Sequence, residues 1–200
     1  MIYFITHPNV VISKDVPVPR WPLSELGRAR MRKGLLQPWV KDLTAIYCST
    51  EQKAIDGVRI LAEHLSLPLT EVAELGENDR SANGFLPPAE FELLVDAFFA
   101  DPGTSVRDWE HALYAQSRIV KAVDEIARTE SDAHSVAMVS HGAVGTLLYC
   151  HLAGVAINRR WDQGPNGGGN YFRDLSIDEV ATKWRPCLTS IRPPCCDQFG

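Results

Sequence analysis

Two apolar runs end the same way. Ile2-Tyr3-Phe4-Ile5-Thr6-His7 and Ser135-Val136-Ala137-Met138-Val139-Ser140-His141 each close on a hydroxyl residue and a histidine. Both runs are short, nearly continuous in apolar side chains, and followed by helix-forming sequence. That pattern predicts strands covered on both faces, as in a parallel sheet. Ligands of open α/β sheets bind beyond the carboxyl ends of the strands. Two imidazoles at strand exits can therefore share one crevice although they are far apart in sequence. Such an arrangement suits chemistry on an anionic group.

The rest of the chain supports that architecture. Ala45-Ile46-Tyr47-Cys48 reads as another short buried strand, and Leu69 to Val72 as an extended segment after Pro68. Ser24 is a helix N-cap for a helix to about Leu36. Ile55, Val58, Leu61, Ala62 and Leu65 recur at helical spacing in a helix from about Glu51 to Leu65. A polar loop, Leu75 to Ser81, leads past Pro87-Pro88 to helices at about 89–99 and 108–128. Gly142 opens a helix through about Leu152, which Gly154 ends. Gly167-Gly168-Gly169-Asn170 reads as a turn, because no Lys-Ser/Thr pair follows to make it a phosphate loop. Tyr171 to Leu175 alternates like a strand, and 182–188 reads as an edge strand. Alternating strands and helices predict an α/β fold, a mostly parallel sheet with helices on both faces. One domain over 1–189 is expected, with a helical cap insertion at about 76–115 and a loose tail at 190–200.

The net charge of −5 disfavours a broad nucleic-acid surface. No apolar run reaches the roughly 18 residues of a membrane helix. The start lacks a basic n-region, so no secretory signal is expected. The five cysteines are odd in number and lack disulfide or zinc spacing, which predicts reduced thiols, no metal, and a cytoplasmic location.

The order of short motifs resembles the histidine phosphatase superfamily, on its phosphoglycerate-mutase-like branch. Thr6-His7-Pro8 stands at that family's Arg-His-Gly. Leu23-Ser24-Glu25-Leu26-Gly27 stands at its Leu-Thr-Glu-Leu-Gly. Tyr47-Cys48-Ser49 followed by Lys53-Ala54 stands at its Tyr-Ser-Ser and Arg-Ala, and Leu75-Gly76-Glu77-Asn78-Asp79 at its acid loop. Val139-Ser140-His141-Gly142 matches its last motif intact.

The resemblance implies a phosphatase acting on a small phosphorylated substrate, without metal or organic cofactor. His7 would be the nucleophile that accepts the phosphoryl group, and Glu77 the general acid and base. His141 would contact the phosphoryl oxygens. Thr6, Ser49, Lys53 and Gly142 fall at positions implied to surround the phosphate. The family's first arginine is Thr6 here and its second is Lys53. Arginine grips phosphate through a planar fork, whereas lysine is a point charge. Arg80, beside Glu77 in the polar loop, is the first candidate for a replacement cation, ahead of Arg20 and Arg28. Two alternatives stand beside hydrolysis: a catalytically weak or inactive member that binds a phosphorylated ligand, and a mutase-like phosphotransferase. No nucleic-acid or membrane partner is expected, and the sequence leaves oligomerisation open.

Overall fold

A computed structural model describes residues 1–130, 134–163, 168–173 and 185–186. Six strands, β1 (Ile2–Thr6), β2 (Ala45–Cys48), β3 (Leu69–Glu71), β4 (Val136–Ser140), β5 (Asn170–Arg173) and β6 (Arg185–Pro186), form one sheet in the order β3-β2-β4-β1-β5-β6. The pairs β1–β4, β2–β4 and β2–β3 are parallel, whereas β5 and β6 join antiparallel. The sheet is thus mostly parallel, as expected.

The side chains of each central strand alternate between two cores. Tyr3, Ile5, Ile46, Cys48, Ala137 and Val139 point to one face, where Ile55, Val58 and Leu61 of α2 (Gln52–Leu65) cover them. Ile2, Phe4, Val136 and Met138 point to the other. There they meet three helices: α3 (Pro88–Ala100), α4 (Ala112–Thr129) and α5 (Gly142–Leu152). This period-2 division between two covered faces is why the strand sequences carry so few polar residues.

The β1–β4 register sets up the site. Ile2 pairs with Val136 and Thr6 with Ser140, so both strands end at the same level. The next residue on each is a histidine, and the His7 amide donates to the Ser140 carbonyl at 3.0 Å. β2 ends beside them, with the Ser49 amide donating to Val139 O at 3.1 Å.

Local departures have local causes. The helix expected from about Asp108 starts at Ala112, because Arg107 and Asp108 adopt left-handed backbone, with φ of 50° and 63°. That conformation is uncommon for residues with a side chain and is not readable from these two. Of the edge strand expected over 182–188, Arg185 and Pro186 pair with β5. The remainder of it, Asp174 and Leu175, the tail 190–200, Gly167, and Cys187, Cys195 and Cys196 lie outside the described residues. Cys48 and Cys150 are free and buried.

The loop leaving His7 is pinned to α1 (Glu25–Gly34), whose N-cap Ser24 accepts from the Gly27 amide at 3.1 Å. The Asn9 carbonyl accepts from the Ser24 amide and lies 2.1 Å from where a Cβ of Gly27 would stand. The glycine is therefore required by close approach of two backbones. Gly27→Ala is expected to cost about 2–3 kcal/mol through this overpacking, measured as a lower denaturation midpoint at unchanged slope.

Candidate active site

His7 leaves β1 facing a cavity of about 790 Å³. Its Nδ1 lies 2.9 Å from the Pro8 carbonyl, which can only accept, so Nδ1 carries the proton. Nε2 is then the lone-pair nitrogen. Burial, reinforced by the Lys53 charge, pushes His7 down to about 4, which keeps it neutral at physiological pH. Proline at position 8 removes an amide donor but keeps the carbonyl that fixes this tautomer.

The His141 ring lies 5.1 Å from that of His7, centroid to centroid, in an edge-to-face arrangement at 68°. The two imidazoles do meet, but in direct contact rather than across an open, anion-sized gap. His141 is fully buried. Its Nε2 is 2.6 Å from Ser49 Oγ and 3.3 Å from Glu51 Oε1, while Nδ1 has no hydrogen-bond partner among the described residues. Burial holds His141 well below the ordinary histidine range, against the opposing pull of Glu51.

Glu51 was not singled out by the sequence, yet it is central here. It immediately precedes α2, and its carboxylate accepts from the Glu77 amide at 2.9 Å and forms a short ion pair with Lys53. Burial alone would raise its pKa, but His141, Lys53 and the Glu77 amide outweigh that and hold it at about 2. Lys53, only 4% exposed at its side chain, also donates to the Val18 carbonyl at 3.1 Å. The cation expected to grip phosphate is therefore neutralised by its own chain. The signal was present in the sequence: an acidic residue in the strand-exit turn, two positions before the lysine.

Glu77 occupies the N-terminus of α5. Its Oε1 accepts from the amides of Asn78 (3.2 Å) and Val144 (3.1 Å), and its Oε2 from Ala143 at 3.3 Å. The Ala143 and Val144 amides at the start of α5, beside the position where Gly142 was expected to border a phosphate, are thus turned to this carboxylate. Gly142 has another role: a Cβ there would lie 2.5 Å from Gln163 Nε2. Arg118 of α4 fixes the acid loop from outside, donating to the carbonyls of Glu74 (2.7 Å), Gly76 (3.0 Å) and Glu77 (3.1 Å) while paired with Glu110. Nothing in the spacing of Arg118 distinguished it from a solvated helix residue.

Thr6 corrects an expectation. It is fully buried in the sheet, donating to Gln163 Oε1 at 2.7 Å and accepting from the Asn170 amide at 3.1 Å, so its hydroxyl is not presented to the cavity. Ser49 is likewise buried and reaches the site through His141. Arg80 lines the same cavity as His7, with its guanidinium over Phe91 and Trp109 at 5.0 and 5.5 Å from the ring centroids. Arg28 is paired with Asp56, and Arg20 is exposed. Asn78, nearly fully buried, contributes to the cavity wall, and its Nδ2 has no partner among the described residues. The cavity wall also carries Glu92, Arg159, Asp162 and Gln163, and one side of it is aromatic, with Trp21, Phe91, Phe98 and Trp109. A smaller lobe of about 220 Å³ continues past Trp21 and Phe91 toward Phe85. Among the described residues no group of three His, Cys, Asp or Glu side chains could hold a metal.

Comparison with known proteins decides the lineage of this crevice. The sequence pattern of the histidine phosphatase superfamily, branch 1, matches residues 7–170. The chain belongs to the histidine phosphatase superfamily. Solved structures of similar fold include a mycobacterial glucosyl-3-phosphoglycerate phosphatase, 19% identical, with a TM-score of 0.70 over 92% of this chain and 95% of that one. YhfR of Bacillus stearothermophilus is 21% identical, with a TM-score of 0.71 over 94% and 95%. A putative alpha-ribazole-5'-P phosphatase of Escherichia coli is 16% identical, with a TM-score of 0.61 over 88% and 91%. A search of curated proteins gave no match. No helix among the described residues is long and apolar enough to cross a membrane.

The depressed pKa of His7 has a thermodynamic consequence. Between about pH 6.5 and pH 4 the unfolded chain takes up a proton at this histidine that the native chain refuses, so stability falls as pH falls through that window. His141 acts in the same direction. Imidazole NMR should find His7 neutral at pH 6, and denaturation of His7→Asn should show a shallower loss of stability between pH 6.5 and 4 than the wild type.

Proposed function

We propose that the protein hydrolyses a small phosphomonoester through a phosphohistidine at His7. The observation that carries this reading is the fixed tautomer: Nδ1–H is committed to the Pro8 carbonyl, and the lone pair on Nε2 belongs to a ring that lines the cavity. In the first step Nε2 bonds to phosphorus, the bond to the ester oxygen breaks, and Glu77 delivers a proton to the leaving oxygen. In the second, water attacks phosphorus, Glu77 takes the proton, and the N–P bond breaks. Oε2 suits this task better than Oε1, because a single long contact from Ala143 holds it, against two amides on Oε1. Arg80, whose side chain lines the cavity, is the cation left to meet the ligand's charge. The aromatic walls suit an ester whose organic part is apolar, and a mutase would need a second phosphate seat among them.

A non-catalytic binding role is the second reading, and one observation favours it. Lys53 is paired with Glu51, and His141 is sealed from the cavity, so the two groups that should grip a transferring phosphoryl group are already engaged. Cationic clamps of that kind carry much of the transition-state stabilisation in phosphoryl transfer.

An aryl phosphate separates the two. Under the hydrolytic reading His7→Ala lowers turnover to the uncatalysed level, Glu77→Gln slows it by roughly 10²–10⁴-fold, and rapid quenching traps an acid-labile phosphoprotein. Wild-type turnover no greater than that of His7→Ala, together with calorimetric binding of the ester, would assign the binding role instead.

A further inference from the structure

Lys53 Nζ, His141 Nε2 and the Glu77 amide converge on one point, and the group they hold is the carboxylate of Glu51. An ammonium, an imidazole N–H and a backbone amide make an oxyanion seat of ordinary design. Its occupant is supplied by the chain. We propose that Glu51 sets the anion selectivity of this crevice by sitting where a ligand's phosphoryl oxygens would bind, so that a phosphorylated ligand gains Lys53 and His141 only by displacing it. This rests on the reading of the crevice as a phosphoryl site.

Three features support displacement rather than permanent occupancy. Glu51 stands at the N-cap of α2 with extended backbone, φ −81° and ψ 139°, so its side chain can swing without unwinding a helical turn. Its side chain retains 13% exposure, whereas His141 retains none. Removal of its carboxylate would leave Lys53 with the Val18 carbonyl as its one other hydrogen-bond partner among the described residues, and His141 Nε2 with Ser49. While the carboxylate stays, an incoming phosphate dianion meets a like charge among the donors it needs. Free inorganic phosphate has no other binding groups with which to overcome that repulsion. A phosphate ester whose organic part fills the aromatic cavity does, so Glu51 favours esters over the free anion.

The test is calorimetric titration of inorganic phosphate into the wild type, Glu51→Gln and Glu51→Ala, with circular dichroism of each. Glu51→Gln preserves shape and an acceptor for the Glu77 amide, so it serves even where Glu51→Ala fails to fold. The expected result is an affinity for phosphate increased by roughly tenfold or more in Glu51→Gln, with the gain lost when Lys53→Met is added. Equal affinity in wild type and variants would overturn the displacement and leave the phosphate site standing. Weaker binding in the variants would overturn it too, and make Glu51 an organiser of the site. Absence of phosphate binding in all of them would overturn both the displacement and the phosphoryl reading beneath it.

Discussion

The parallel pairing of β1 with β4 is the constraint on which the site depends. Once Thr6 is level with Ser140, the two following residues leave the sheet side by side at the carboxyl ends of its central strands, and the amide of one is bonded to the carbonyl preceding the other. A slip of one residue would invert every side chain on β1, sending Phe4 into the core built for Tyr3 and Ile5. The apolar filling of both faces therefore holds the imidazoles together more firmly than any contact between the rings. The placement of the two imidazoles follows from hydrophobic packing several residues away.

Electrostatics then shapes what that geometry can do. Glu77, Glu92 and Asp162 line the crevice and Glu51 lies behind Lys53, and most of the strong interactions of the site are internal. Glu77 is held by amides at the start of α5, Glu51 by Lys53 and His141, and both histidines are kept uncharged by burial. A relative with arginines at positions 6 and 53 would present an excess of positive charge. This chain presents a nearly balanced set, in which any ligand must compete with existing partners. That difference is chemical rather than architectural, because exchanging the side chains at positions 6 and 53 leaves the strand pairing unchanged.

Much of this was legible in the sequence. The strands at Ile2–Thr6, Ala45–Cys48 and Val136–Ser140 announce themselves because both faces are buried, and α2 because its apolar positions recur every three to four residues. The meeting of His7 and His141 followed from two like strand endings. What escaped depends on contacts made across the fold. The left-handed turn at Arg107 and Asp108, the burial of Thr6 under Gln163 and Asn170, and the pairing of Glu51 with Lys53 all require knowing which segment lies opposite. A short polar residue at a strand end looks the same in sequence whether it faces a ligand or a neighbour.

Arg118 ties these levels together. Its guanidinium gathers three carbonyls of the acid loop, those of Glu74, Gly76 and Glu77, and is anchored on α4, which shares a core with Leu75 of that loop. The position of Glu77 is thereby linked to the seating of a long helix on the sheet. Repacking of Ile119, Val123 or Ile126, which seat that helix on the sheet and are not part of the cavity lining, would therefore move the Glu77 loop relative to His7 while leaving both of those side chains unchanged.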